Sequence, residues 1–340
     1  MKNEILNIII LNWNGWHDTE KCISSIISKT NKINYNICLV DNGSLMAEQN
    51  SIDEYINKNF ECILSGTKDD FLTYSIKIEK EFIKKDSSKK IIFIKNEENL
   101  GFAKGNNVAL SILRLNNLNN VVLLNNDTEL LNDALSIMFS HLDDSVGAII
   151  PQIRYFEPNN IIWNCGGMIN YFGIRKYIHA FDKIEELGKV VKIQNVDFGT
   201  GCALMFNIDR VGLLSEKYFF GEEDFEFAFR LKRKKLAIIC LYDAIIYHKV
   251  GASRNQISDN NVGKMVYHYC QRINNLKDNL AAPIWVISTI LHFISSLNQL
   301  RKMDKLRVST VYKCWKEILI STNRKQFTLL DFKTISNKEY

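Results

Sequence analysis

Two aspartates, an acidic cluster and one histidine stand where chemistry could happen. Asp127 follows the apolar run Val121–Leu124 with only the amides Asn125 and Asn126 before it. A carboxylate placed so is a hard oxygen ligand suited to Mg²⁺ or Mn²⁺. Such ions keep several waters and need only one or two protein ligands beside substrate phosphates. Asp127-Thr128 would equally cap a helix running on through Leu130, Leu131 and Leu135. Asp41 ends the run Ile37–Val40 inside Asp41-Asn42-Gly43-Ser44, where its carboxylate either accepts the N–H of a nucleobase or closes a tight turn. Gly221-Glu222-Glu223-Asp224-Phe225-Glu226 opens a helix on which Phe225 and Phe229 face one way and Glu226 reaches Arg230. Carboxylates crowded beside aromatic rings raise one another's pKa, as a general base requires, while Glu222 reads as helix-start acidity that favours the dipole. His248 closes the run Ala244–Tyr247 and puts an imidazole at a strand end, a structural residue unless a metal partner faces it.

The elements that must hold these groups are short buried strands. Asn7–Leu11, Ile37–Val40, Ile91–Ile94 and Val121–Leu124 are continuous in apolar and β-branched residues, with Val146–Ile150 a fifth. Helical patterns lie between them: Thr19–Ser28 puts Cys22, Ile23, Ile26 and Ile27 on one face, and Asn106–Leu115 does so with Val108, Ile112 and Leu115. Alternating strands and helices imply a doubly wound, mainly parallel α/β sheet, whose ligands bind at the carboxyl ends of the strands. Those ends are polar here: Asn12-Trp13-Asn14-Gly15, Asp41–Ser44, Asn99–Asn107 (NLGFAKGNN) and Asn125–Asp127. NLGFAKGNN opens a helix with two glycines, a place for backbone N–H groups to approach a diphosphate. Neither G-x-G-x-x-G nor G-x-x-x-x-G-K-[ST] occurs, which argues against Rossmann dinucleotide enzymes and P-loop NTPases. Ser65–Lys90, dense in charge, reads as a solvated helical insertion.

With 340 residues, 46% of them hydrophobic, the chain can bury a large core, and disordered or small stapled scaffolds are excluded. Eight cysteines without a C-x-x-C pair write neither a zinc ribbon nor a redox motif and fit a reducing compartment. Residues 241–340 hold 15 Lys+Arg against 7 Asp+Glu, a surplus of eight, whereas residues 1–240 hold 28 against 31. Within that basic region Ala281–Leu297 is apolar but interrupted by Pro283, serines and His292, and falls short of a bilayer span. It reads either as an interfacial helix or as a buried helix of a small C-terminal bundle. No signal peptide precedes Ile8–Leu11, so a cytoplasmic location is expected. The basic tail lacks the interleaved aromatics of a nucleic-acid binder.

Taken together, Asn12–Gly15 (NWNG), Asp41–Ser44 (DNGS), Asn99–Asn107, Asn125–Leu130 (NNDTEL), Asp197–Leu204 (DFGTGCAL), Tyr218–Arg230 (YFFGEEDFEFAFR) and His248–Ser253 (HKVGAS) resemble, in order and approximate spacing, a family 2 glycosyltransferase of GT-A fold. The resemblance covers about residues 5–255 and is narrowest to the rhamnosyltransferase-like branch that builds bacterial surface polysaccharides such as O-antigen. It implies a GT-A domain over residues 1–255 and a basic, partly apolar helical C-terminal extension over 256–340. It further implies Asp41, Asn14, Gly101, Asn106, Asn126 and Gly201 around a nucleotide-sugar, Asp127 and His248 as ligands of Mg²⁺ or Mn²⁺, and Asp224 as the base that deprotonates the acceptor. Asn125 stands where the family's D-x-D motif has its first acid. Arg272 with Asn274 resembles an Arg-Asn element ahead of a membrane-proximal tail. The implied reaction is an inverting transfer of a sugar, rhamnose for this branch, from a dTDP- or UDP-sugar. Its implied acceptor is a glycan or lipid-linked oligosaccharide at the inner face of the membrane, with peripheral membrane contact. The competing readings are a metal-dependent nucleotidyltransferase, disfavoured by a first loop without Pro or basic residues, and a non-catalytic carbohydrate-binding protein on the same fold.

Overall fold

Successive apolar residues in a strand demand cover on both faces, and in the computed structural model both faces are covered. The structure describes residues 4–73, 76–79, 82, 86–188, 192–250 and 260–340. Strand β1 (Ile5–Asn12) sends Ile8 and Ile10 into one core and Ile9 into the other. It pairs in parallel with β2 (Asn34–Asn42) and β5 (Asn120–Asn125), and β2 pairs in parallel with β4 (Lys90–Asn96). Helices α1 (Trp16–Lys29), α2 (Met46–Asn59) and α5 (Ala134–Phe139) pack on one face. The other face carries α4 (Phe102–Leu115), α6 (Ile208–Val211) and α7 (Glu223–Arg233). Helix α1 buries Cys22, Ile23 and Ile26 as its spacing implies, whereas on α4 Leu115 is exposed and Leu113 is buried in its place.

Ser65–Lys90 departs from the reading as a helical insertion. Its first residues complete an edge strand, β3 (Cys62–Thr67), parallel to β4, and among the described residues the short α3 (Lys68–Leu72), opened by a Thr67–Asp70 capping box, and a 3-10 turn at Ser87–Lys89 follow it. An edge strand with one half-buried face lacks the continuous apolar run that marks the central ones. Residues 74–75, 80–81 and 83–85 of this stretch lie outside the described residues.

Beyond β5 the sheet is mixed. Strand β12 (Ala203–Asn207) lies antiparallel between β5 and β7 (Val146–Tyr155), which pairs in parallel with β13 (Ala237–His248). Strand β11 (Ile193–Val196) closes that edge, so the order is β11-β13-β7-β12-β5-β1-β2-β4-β3, with β6 (Thr128–Leu130) on β13 and β8 (Ile162–Asn164) on β7. A separate hairpin joins β9 (Gly167–Ile169) to β10 (Arg175–Tyr177). Strand β6 overturns the helix-cap reading of Asp127: the chain pairs with β13 through Thr128, Glu129 and Leu130, and α5 starts only at Ala134 behind Asp133.

Four helices, α8 (Asn261–Asn279), α9 (Ala282–Lys302), α10 (Val308–Ser321) and α11 (Leu329–Asn337), form a third core with Tyr218 and Phe219, the two residues just ahead of the acidic cluster. The Asn274 amide donates to the carbonyls of Ser321, Thr322 and Arg324, satisfying orphan acceptors at the end of α10. Residues 251–259, which hold the expected boundary at 255/256 and Gly251–Ser253 of HKVGAS, lie outside the described residues. Among the described residues no helix is long and apolar enough to cross a membrane.

Candidate active site

Pairing of β6 with β13 sets Thr128 opposite His248, and the Lys249 N–H donates to the Asp127 carbonyl at 3.0 Å. This register brings Asp127 Oδ1 to 3.1 Å from His248 Nε2, both side chains being nearly buried. No hydrogen bond forms between them, and Asp127 Oδ1 has no donor among the described residues. The Trp163 ring meets the imidazole edge to face at 4.4 Å and holds its plane. This 3.1 Å carboxylate–imidazole contact is an ion-pair distance and also fits a divalent cation, since cis ligands on roughly 2.1 Å bonds stand about 3 Å apart. Among the described residues no group of three or more His, Cys, Asp or Glu could hold a metal. A cation here would therefore draw its other ligands from water and diphosphate oxygens, the pattern usual for Mg²⁺.

The candidate base is positioned from the neighbouring strand pair. Where β12 begins beside the end of β5, the Asn125 N–H donates to the Cys202 carbonyl at 2.8 Å, and the adjoining Gly201 N–H donates to Asp224 Oδ1 at 2.9 Å. One turn of backbone thus joins the Asn125–Asp127 loop to Asp224. Cys202 is buried between the two acids: burial pushes its thiol well up, and the charges of Asp127 and Asp224 add to the effect. Gly201 has to lack a side chain, since a Cβ would lie 2.7 Å from the Phe102 ring and 2.9 Å from Asp224 Oδ1. Burial raises Asp224 from 3.8 to about 6; the Gly201 N–H opposes the rise, Glu222 adds to it and Arg175 opposes it. Burial, together with the charge of Asp224, drives Glu223 well above the ordinary range. Asp224, raised to about 6, sits close enough to neutral pH to serve as a base.

Glu222 behaves unlike the dipole-favouring surface acid implied by its position. Its side chain is fully buried, with a bidentate bond from Arg175 (Nη1–Oε1 2.7 Å), a second guanidinium, Arg272, at 3.5 Å, and the Asn275 amide at 3.0 Å. Burial pushes its pKa up, yet Arg175 and Arg272 overcome this and hold it far below the carboxylate range. Glu226 meets Arg230 at 3.2 Å, as its i,i+4 spacing implies. Glu222 also sits at φ 80°, a left-handed conformation that a non-glycine residue adopts only when its surroundings impose it. Arg175, stacked on the Phe225 ring, was invisible to sequence reasoning: it lies on a short hairpin strand, 47 residues from its partner. The one available signal was the rule that a buried acid needs a cation. Phe225 and Phe229 do not share a surface; the first packs under the sheet and the second against the C-terminal core.

The residues expected around a nucleotide fall into three situations. Asn14, at φ 49°, ties the first two strand ends together, its N–H on Ser44 Oγ and its Oδ1 accepting from the Leu45 N–H. Asn126 donates to the Gly15 carbonyl and to Thr19 Oγ1. Asp41 is wholly buried and its carboxylate is saturated by Asn12 Nδ2, the Ser44 N–H and Gln49 Nε2, the arrangement of the turn reading. Gly101, at φ 81°, is a close-approach residue: a Cβ would meet the Phe219 carbonyl at 2.5 Å, so the 218–220 loop packs directly against it. Asn106 is buried and donates from Nδ2 to the Phe102 carbonyl of its own helix at 2.9 Å.

No family model and no curated protein matches the chain. Solved structures do. GalNAc-T7, solved with UDP, GalNAc and Mn²⁺, superposes with a TM-score of 0.53 at 14% identity over 80% of this chain and 51% of its own, so the chain spans about half the length of that protein. The chain has the GT-A fold. Lower scores go to the mannosyltransferase PcManGT of Pyrobaculum calidifontis, solved with GDP-Man and Mn²⁺ (TM-score 0.49, 13% identity, 93% of this chain and 85% of that one), and S. aureus TarS (0.46, 11%, 80% and 38%). In this GT-A fold the loops after β1, β2, β4 and β5 gather at the carboxyl ends of the parallel strands, where open α/β sheets bind their ligands. The Asp127–His248 pair lies next to that edge and Asp224 lies beside it, one backbone turn away.

Proposed function

We propose that the protein is an inverting, metal-dependent glycosyltransferase that moves a sugar from a nucleotide-diphosphate sugar to an acceptor hydroxyl. The observation that carries this reading is Asp224. It is a half-buried carboxylate whose pKa is raised to about 6, fixed by the Gly201 N–H and joined through one turn to a cation-compatible Asp127–His248 pair. Asp224 accepts the proton of the acceptor hydroxyl as its oxygen attacks the anomeric carbon from the face opposite the nucleotide, which inverts configuration without a covalent intermediate. Asp127 and His248 would hold Mg²⁺ or Mn²⁺, which when bound neutralises charge on the departing diphosphate. Asn14 and Asn126 shape the donor pocket, and Asp41 meets a base N–H in place of Gln49. From the resemblance we take the family 2 rhamnosyltransferase-like branch, a dTDP- or UDP-sugar donor with rhamnose as its sugar, and a lipid-linked acceptor of bacterial surface polysaccharide synthesis.

The test is a thermal-shift panel of UDP-, dTDP- and GDP-sugars with and without Mn²⁺, on wild type, Asp127→Asn and His248→Ala. A donor at about 100 times its Kd adds about 2.7 kcal/mol of apparent stability. One nucleotide class should stabilise wild type strongly only with metal, and both variants should lose the metal-dependent part. No response to any donor, or an undiminished metal response in Asp127→Asn, would overturn the reading.

A further inference from the structure

Helix α9 is built inside out. Its buried positions, at every fourth residue, are Ser288, His292, Ser296 and Leu300. The first three are hydrogen-bonded: His292 Nδ1 lies 2.8 Å from the Ser288 carbonyl, and Trp315 Nε1 donates to Ser296 Oγ at 2.8 Å. Its outward positions are aliphatic, Val286, Ile287, Ile290, Leu291 and Ile294 being 37–55% exposed. A helix facing water carries its polar residues outward. The third core does not need this stripe, because Trp285 and Phe293 anchor α9 to it.

The apolar surface continues around the corner into α10. An open groove of about 380 Å³, lined by Leu297, Leu306, Arg307, Val308, Val311 and Tyr312, joins the two helices. From Ala282 to Lys316 there are six basic residues, Arg301, Lys302, Lys305, Arg307, Lys313 and Lys316, all exposed, against one acid, Asp304. On α10 the exposed positions Val308, Tyr312, Lys313, Lys316, Leu319 and Ile320 fall on one side, apolar and cationic residues interleaved.

We propose that the outer faces of α9 and α10 lie on an anionic phospholipid bilayer, the aliphatic stripe entering the acyl boundary and the basic residues meeting lipid phosphates. Apolar area and cationic charge are the two contributions that hold a helix at such an interface. A second copy would present the same aliphatic and basic patch and so bring no acidic groups to meet the cationic residues, whereas an anionic bilayer does. The inference deepens the lipid-linked acceptor reading and, for its purpose, rests on it. Helix α8 connects the two ends, since Tyr269 bonds Ser295 of α9 while Arg272 faces Glu222 beside the candidate base.

The experiment is co-sedimentation of the full chain with vesicles of pure phosphatidylcholine or of phosphatidylcholine with 30 mol% phosphatidylglycerol. Wild type should partition at least tenfold more strongly onto the anionic vesicles and be released by 0.5 M NaCl. The variant Lys305→Gln/Arg307→Gln/Lys313→Gln/Lys316→Gln should lose on the order of a hundredfold, about fivefold or less per residue. Ile287→Asn/Ile290→Asn/Ile294→Asn should lose at least tenfold. These exposed changes leave the folded core intact, and retained donor-induced thermal shift shows it independently of vesicle binding. Wild type without preference for anionic vesicles, or a triple variant that sediments like wild type, overturns the proposal. So does a dimer in light scattering that the triple variant dissolves, which would give the face to a second copy. None of these results touches donor binding, so the catalytic reading stands or falls separately.

Discussion

Replacing Asp224 by Asn should make the protein inactive and more stable at once. The folded chain holds this carboxyl at about 6 instead of 3.8, so ionising it opposes folding. The sign follows from proton affinity: the folded state binds this proton more tightly, so the group's stabilisation is complete below pH 3.8 and is lost as pH rises toward 6 and beyond. Linkage between those two values gives a cost of about 3 kcal/mol at pH 7, roughly half of that at pH 5 and a small fraction of it at pH 4. Asn keeps an oxygen for the Gly201 N–H and carries no charge, so the variant escapes that cost. Unfolding entropy of about 2.1 cal/mol/K per residue, taken over 340 residues, converts 3 kcal/mol into a rise in Tm of roughly 4 °C at pH 7, shrinking to under about 1 °C at pH 4. The assay is scanning calorimetry of both proteins across pH 4–7.5, paired with sugar transfer. Equal Tm at pH 7, or a gain that does not shrink with acid, would refute the claim that this carboxylate is held against its solvation. Turnover above about 1% of wild type would refute its role as base, since such bases contribute about 10²–10⁴ in rate.

Three further outcomes are expected. The rate of transfer, followed as kcat/KM, should fall about tenfold per pH unit below about 6 and level off above it, because only the ionised Asp224 accepts a proton; a flat profile from pH 5 to 7 contradicts this. Glu222→Gln leaves the buried Arg175 guanidinium without its counter-charge and should destabilise the fold by about 3–5 kcal/mol in denaturant titration, with Arg175→Met/Glu222→Met recovering part of the loss; a neutral single variant would show that the cluster does not hold the loop. Gly201→Ala puts a methyl against the Phe102 ring and Asp224 and should cut turnover at least tenfold while donor-induced thermal shift persists; unchanged kcat would remove Gly201 from the positioning of the base.

The parallel half of the sheet was legible because its strands are buried on both faces, and Ile8-Ile9-Ile10 can have no other explanation than cover on both sides. Asp224 and the Asp127–His248 pair were legible by a different route, through ordered motifs, and the register of β6 on β13 supplies the physical reason that residues 121 apart meet. What escaped was whatever depends on tertiary charge. Glu222 looked like one more acid at a helix start, and only the fold brings Arg175 and Arg272 to it. Edge strand β3 escaped because a half-covered strand writes a weaker pattern than a central one. The glycine and asparagine of NLGFAKGNN carry packing information the sequence did not display: Gly101 lets the Phe219 carbonyl approach and Asn106 bonds the Phe102 carbonyl.

The C-terminal helices belong to the site as much as the sheet does. Glu222 holds a left-handed conformation that costs about 1–3 kcal/mol, and it immediately precedes the helix that carries Asp224. That conformation is sustained from α8: Arg272 and Asn275 bind the Glu222 side chain, and Gln271 donates to the Phe220 carbonyl at 2.9 Å. Phe327 closes the other side, its N–H on the Lys217 carbonyl at 2.8 Å. The strand ends hold the Asp127–His248 pair and the Gly201 turn, but Asp224 is aimed by a loop clamped from outside the sheet.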